Sequence, residues 1–265
     1  MPFFVVIGAA IVQESGRTHY FACRAGSRST PTACQNGRVR AVLWDMDGTL
    51  VDSEKLWDVS LSAFYESHGG AMSRETRTAL VGASAEETMV IAYAELGLEP
   101  DPDAMAESIV RLHDHTAELF DDGLPWCDGA REMLEALVAE GTPMALVTNT
   151  QRALAERALN SIGRHYFSVS VCGDEVRNGK PAPDPYLRAA ELLGLDPADC
   201  LAVEDSVTGT AAAEGAGCAV LVVPNDVPVP GGLRRRHADS LAELEVADLR
   251  RIHGEIDREL REHTA

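Results

Sequence analysis

Five short apolar runs punctuate the chain from residue 41 onward: AVLWD (41–45), PMALVTN (143–149), FSVSVCG (167–173), CLAVED (200–205) and CAVLVVP (218–224). Near-continuous apolar runs of this length suit strands covered on both faces, as in a parallel sheet. Between them the apolar residues switch to helical spacing. The pattern predicts helices over 130–140, opened by Asp128 and closed by Gly141; over 152–162, closed by Gly163; over 184–193, closed by Gly194; and over 207–213, followed by Gly215. Alternating strands and helices predict a doubly wound, mainly parallel α/β sheet, whose ligands sit at the carboxyl ends of the strands. Asp45, Thr148 and the pair Glu204–Asp205 all stand at such ends.

Residues 46–142 break the alternation. Leu56, Trp57, Leu61, Phe64 and Tyr65 form a helical stripe that stops at Gly69-Gly70, and Ser73 can cap a second segment ending by Gly82. Ser84 to Glu87 (SAEE) reads as a capping box before a third helix, closed by Gly97. Asp101, with Pro102 at the first helical position, opens a long fourth helix to about residue 120. We therefore expect a helical subdomain, 57–124, inserted into a core made of 39–56 and 125–249, with 250–265 as a C-terminal helix and tail. His113 and His115, two apart on the fourth helix, fall on different faces and read as surface residues. Near the C-terminus, Arg234–Arg236 reads as a solvated loop rather than an anion site, followed by a helix capped by Ser240 with Glu243 at its third position.

Residues 1–38 do not share this pattern. An apolar run, FFVVIGAAIV, leads into a polar Ser/Thr/Arg-rich stretch, which reads as a disordered leader or as sequence upstream of the true start. Bacterial start codons can encode valine, and Val39 opens the regular domain. The apolar run is too short to span a bilayer. No basic residue precedes it and no small-x-small cleavage site follows, so neither a membrane anchor nor a signal peptide is expected.

At about 150 residues per domain, 265 residues suggest one or two domains. Hydrophobic residues make up 45% and charged ones 25%, which excludes wholesale disorder. The net charge of −19 repels phosphate backbones and argues against a nucleic-acid partner. Six cysteines lie far apart with no zinc-ligand spacing, which fits reduced, mostly buried thiols in a cytoplasmic protein. A monomer acting on a small molecule is the expectation. Only Lys55 and Lys180 are lysines among the 23 Lys and Arg residues, so each asks for a reason.

The candidate chemistry begins at D-M-D-G-T (45–49). Two carboxylates two residues apart would point to opposite faces of a strand, but Gly48 lets the chain turn and brings both to one site. A calcium loop also begins D-x-D-G; here Leu50-Val51 follows, and the further oxygen ligands and closing Glu are missing.

WDMDGTLVDSE resembles the first motif of the haloacid dehalogenase (HAD) superfamily, and the other motifs follow in order. Thr148 in ALVTNT matches the second, Lys180 in NGKPAPDPYL the third, and VEDSVTG (203–209) the fourth. The resemblance covers about residues 39–249, and the helical insert between the first and second motifs is similar to a C1-type cap. It implies a magnesium-dependent phosphomonoester hydrolase. Asp45 would be the nucleophile and Asp47 the general acid and base. Asp45, the Asp47 main-chain carbonyl and Asp205 would hold magnesium, with Glu204 binding directly or through water. Lys180, the Thr148 hydroxyl and backbone N–H groups near Met46, Asp47 and Asn149 would bind the phosphate. Glu54, Trp57 and Ser84 lie where capped relatives contact substrate; Trp57 is equally readable as cap core.

The resemblance leaves several chemistries to separate. Haloacid dehalogenation does without an acid at the position of Asp47, and phosphonatases use a cap lysine, which the insert lacks beyond Lys55. β-Phosphoglucomutase carries a histidine where this chain has Trp57, whereas DSEKLWD resembles phosphatases of hexitol and 2-deoxyhexose phosphates. A sugar- or polyol-phosphate phosphatase is the first expectation. A β-phosphoglucomutase-like phosphotransferase is the alternative, and phosphoglycolate phosphatase comes third. A non-catalytic module of the same fold would have lost a nucleophile or metal ligand, and none is lost here.

Overall fold

Each apolar run forms a strand: β1 (Ala41–Trp44), β2 (Met144–Val147), β3 (Val169–Val171), β4 (Cys200–Glu204) and β5 (Ala219–Val222). A sixth, β6 (Arg235–His237), completes a wholly parallel sheet in the order β3-β2-β1-β4-β5-β6. The structure, a computed structural model, describes residues 39–80, 85–121, 123–224 and 227–264. The expected leader, 1–38, lies outside them.

Both faces of the sheet are covered, which is why the strands read as continuous apolar runs. Val42 and Trp44 of β1 point into one layer with Leu146, Leu201 and Val203; Ala41 and Leu43 point into the other with Ala145, Ala202 and Val220. The first layer is closed by α5 (Ala130–Ala139), α6 (Arg152–Ile162) and α9 (Val246–Thr264), the second by α7 (Asp184–Leu193) and α8 (Val207–Ala216). Each fully buried Leu, such as Leu134 or Leu146, contributes about 1.5–3 kcal/mol by leaving water.

Between β1 and β2 lie α1 (Glu54–Ser67), α2 (Arg74–Leu80), α3 (Ala85–Leu96) and α4 (Pro102–Asp121). They bury an apolar cluster of their own around Phe64, Tyr65, Met89, Tyr93 and Leu112, and so form an inserted helical cap. Tyr65 donates to Glu95 (2.7 Å), and the Tyr93 and Ser108 hydroxyls bond at 2.9 Å, tying α1 to α3 and α3 to α4. Trp57 packs against both the core and the cap cluster.

Several local expectations change. Gly129, left-handed at φ 80°, stands at the start of α5 where Asp128 was expected to cap, and no side-chain cap bond forms. α8 runs through Gly215 to Ala216 and stops at Gly217, because Gly215 is tolerated inside a helix packed on the sheet. Ser240 caps a single 3-10 turn, Leu241–Glu243, through the Ala242 N–H, and α9 starts after it. α9 then runs unbroken across the expected boundary at 249/250, because Leu249, Ile252 and Ile256 sit in the main core. Arg235 and Arg236 lie in an edge strand rather than a solvated loop, paired with Glu214 and Glu259, while Arg234 donates to the Gly217 carbonyl. His113 and His115, expected on the surface, are both half-buried against α1: His113 meets Trp57 edge-on at 5.7 Å, and His115 Nδ1 lies 3.2 Å from Ser60 Oγ. Among the described residues no helix is long and apolar enough to cross a membrane.

Candidate active site

The sheet order reverses between β1 and β4, so their carboxyl ends open the crevice where ligands bind in this architecture. β1 delivers Asp45, whose N–H continues the ladder to Val203 O at 3.0 Å. Gly48, at φ 85°, then folds the chain back, with the Leu50 and Val51 N–H groups both reaching Met46 O at 3.0 and 3.1 Å. β2 delivers Thr148 and β4 delivers Glu204 and Asp205. Lys180 arrives from the loop before α7.

At the centre is a buried charge cluster. Lys180 Nζ donates to Asp45 Oδ1 at 2.5 Å and to Glu204 Oε1 at 2.6 Å, and all three residues are less than a tenth exposed. Tyr186, on the first turn of α7, donates to the same Glu204 oxygen at 2.5 Å, while Ser206 Oγ lies 3.3 Å from the other. Glu204 lies against the first turn of α8, where a Cβ on Gly209 would fall 2.0 Å from both its oxygens. Only glycine fits there.

Burial pushes the Asp45 carboxyl up to about 7; Lys180 pulls it down, and the nearby Glu204 and Asp47 charges push it up again. Burial works against the Lys180 ammonium, but Asp45 and Glu204 outweigh it and raise its value.

Asp47, beside that cluster, is held by hydroxyls. Ser53 Oγ donates to its Oδ1 at 2.5 Å, and Thr148 and Thr150 donate to its Oδ2 at 3.1 and 2.8 Å. Oxygens of Asp45, Glu204 and Asp205 come within 4.8 Å of one another, a set of hard donors that fits a divalent cation. The Asp47 carboxylate is not in that set, so its expected contribution to a metal rests on its main-chain carbonyl. The Asn149 side chain is committed to the Lys180 backbone, which leaves its backbone N–H for an expected phosphate contact.

Of the expected substrate contacts, Trp57 is half-buried at the junction of core and cap. The side chain of Glu54 and the whole of Ser84 lie outside the described residues. Reasoning from sequence missed Ser53, Thr150, Tyr186 and Ser206. The signal available was proximity: each lies within six residues of a matched motif residue and carries a hydroxyl.

The family described as haloacid dehalogenase-like hydrolase matches residues 42–223. A phosphorylated carbohydrates phosphatase of Thermotoga maritima is 33% identical over 180 residues, covering 68% of this chain and 82% of that protein. Hexitol phosphatase A of Escherichia coli is 33% identical over 193 residues, covering 72% and 87%. A β-phosphoglucomutase of Mycobacterium tuberculosis is 29% identical over 240 residues, covering 80% and 92%.

Proposed function

The chain belongs to the haloacid dehalogenase-like hydrolase family, and we propose that it hydrolyses phosphate monoesters of small sugars or polyols through a covalent aspartyl-phosphate. The observation that carries this reading is the Lys180 ammonium shared between Asp45 and Glu204 at 2.5 and 2.6 Å, with Asp47 held close by on three hydroxyls.

Asp45, Glu204 and Asp205, with the Asp47 carbonyl, would hold a magnesium ion, which supplies positive charge against the phosphoryl oxygens. Lys180 adds its charge on the same side, and the Thr148 hydroxyl and turn N–H groups orient the phosphate. An Asp45 oxygen attacks phosphorus in line; the new P–O bond forms as the bond to the leaving alcohol breaks. Asp47 gives a proton to the departing oxygen. It then takes one from the water that attacks the aspartyl-phosphate, releasing inorganic phosphate and restoring Asp45. An acid at position 47 and the acidic pair at 204–205 separate this chemistry from dehalogenation.

The substrate class rests on DSEKLWD and on relatives named for carbohydrate and hexitol phosphates. The relative named β-phosphoglucomutase favours a second reading, in which a sugar hydroxyl rather than water takes the phosphoryl group. Trp57 at the mutase histidine's position argues for water. The insert also carries few cations near its entrance, with Lys55 on Asp52 and no further Lys or Arg before Arg74. Holding a bisphosphate intermediate would need more. The test is a phosphorus NMR time course on hexose, 2-deoxyhexose and hexitol phosphates and on β-glucose 1-phosphate with bisphosphate primer. Free phosphate should accumulate. Glucose 6-phosphate appearing from β-glucose 1-phosphate without matching free phosphate would replace the phosphatase with the mutase.

A further inference from the structure

We propose that Thr150 is the positioning residue for Asp47, holding its carboxyl in place when substrate draws Thr148 away; the inference rests on the phosphatase reading above. Thr148 and Thr150 are joined in a small closed ring. The Thr150 N–H donates to Thr148 Oγ1 at 3.0 Å, and both hydroxyls donate to Asp47 Oδ2, at 3.1 Å from Thr148 and 2.8 Å from Thr150.

A hydroxyl carries a single proton. Thr148 therefore cannot donate to a bound phosphate and to Asp47 at once. When a phosphate oxygen accepts the Thr148 hydrogen bond instead, Oδ2 loses its longer bond and keeps the shorter one, from Thr150. The Thr150 N–H still holds Thr148 Oγ1 from behind, so the hydroxyl can turn toward phosphate without the side chain moving. Oδ1 remains on Ser53 at 2.5 Å. The second threonine of V-T-N-T thus does for Asp47 what the first cannot do while substrate is bound. Aim matters here, because proton delivery to a leaving oxygen requires hydrogen-bond reach.

The consequence falls on esters whose leaving group must be protonated. An alkoxide leaves badly without a proton, whereas nitrophenolate leaves well. The experiment compares kcat/KM, which reports steps through departure of the alcohol, on 2-deoxyglucose 6-phosphate and on 4-nitrophenyl phosphate, for the full chain with magnesium. Thr150→Val should lower the first by about ten-fold or more and the second by no more than about three-fold. Thr150→Ser, which restores a donor, should recover most of the loss. The ratio is read within one preparation, so a partly unfolded sample lowers both numbers alike and leaves it unchanged, and Thr150→Ala serves as a second variant. Equal falls on both esters, or no fall on either, overturn the inference.

Asp47→Asn is the reference and should discriminate in the same direction and more strongly. If it discriminates and the Thr150 variants do not, the positioning role alone is lost. If Asp47→Asn slows both esters alike, the acid role of Asp47 fails and the Thr150 inference fails with it.

Discussion

The Asn149 side chain clasps the backbone of Lys180 at two points: its Nδ2 donates to the Lys180 carbonyl at 3.1 Å, and its Oδ1 accepts the Lys180 N–H at 2.8 Å. The clasp fixes the loop carrying the ammonium to the end of β2. Asn149→Ala removes both bonds and should lower the unfolding free energy by about 1–2 kcal/mol. It should also lower kcat by about ten-fold or more, because the ammonium no longer meets Asp45 in one geometry. Denaturant titration and steady-state kinetics on one preparation check this. Full kcat with the stability loss intact would show that Lys180 is placed by its ion pairs alone.

Asp45→Asn keeps the shape of the side chain and removes the attacking charge, so turnover should fall by more than about a hundred-fold, a loss of at least ~2.7 kcal/mol in the barrier. The same variant tests the electrostatics without metal. Burial holds the folded Asp45 carboxyl at about 7, above its ordinary 3.8, so the folded state binds more protons than the unfolded one between those values. The contribution of Asp45 to stability then falls as pH rises from about 4 to 7. Chelator-treated wild-type protein should lose unfolding free energy across that window relative to Asp45→Asn. A constant difference between the two curves would contradict the shift.

How much of this was visible beforehand depends on what each residue answers to. The strands were legible because two covered faces demand apolar residues at every position, as Ala41–Trp44 shows. Asp45, Thr148, Lys180 and Glu204–Asp205 were legible as motif residues, three of these positions ending strands. β6 was not, since Arg235, Arg236 and His237 carry no apolar pattern and pair with the sheet only at its edge. Thr150 and Tyr186 were not, because their partners, Asp47 in the turn after β1 and Glu204 at the end of β4, come from distant parts of the chain and meet them only where the sheet ends converge. The half-burial of His113 and His115 depends on α1 lying across α4, which the spacing within one helix does not encode.

The thiols yield a separate expectation. Burial pushes Cys127, Cys172 and Cys200 up to about 12, and Cys218 higher still. At pH 8 about one such thiol in ten thousand is ionised, and the thiolate is the reactive form. Iodoacetamide should leave the peptides bearing these four residues unmodified in the native protein and modify them in denaturant, read by mass spectrometry. Rapid native labelling of Cys127, which is half-buried and donates to the Gly48 carbonyl at 3.5 Å, would mean that the turn after Asp47 opens readily.

Gly209 offers a way to move a carboxylate without changing it. A Cβ there would lie 2.0 Å from both oxygens of Glu204 and 2.1 Å from its Cδ, and Glu204 is anchored by Lys180 and Tyr186, so the clash has no flexible end to absorb it. Gly209→Ala should therefore shift the carboxylate, disturb Lys180 and lower activity by about a hundred-fold or more. Replacing Val207, exposed two residues earlier on the same helix, by Ala should change little. Equal behaviour of the two variants would remove the close approach as the reason for glycine at 209.

The acidic set should make the protein's stability depend on magnesium before any turnover is measured. Asp45, Glu204 and Asp205 bring carboxylate oxygens within 4.8 Å of one another, with the Lys180 ammonium on the first two, and a divalent cation relieves their mutual repulsion in the folded state only. Magnesium at a hundred times its dissociation constant should add about 2.7 kcal/mol to the unfolding free energy. The corresponding rise in Tm should shrink sharply in Asp205→Asn. Activity should vanish on chelation and return with magnesium. Calcium should raise Tm as well yet inhibit, because its larger, more flexible coordination can draw both Asp45 oxygens inward and leave neither aimed at phosphorus. Two measurements thus separate binding from chemistry. If calcium raises Tm and sustains full turnover, Asp45 is not constrained as a nucleophile in this way; if neither ion moves Tm, the three carboxylates do not form a metal site.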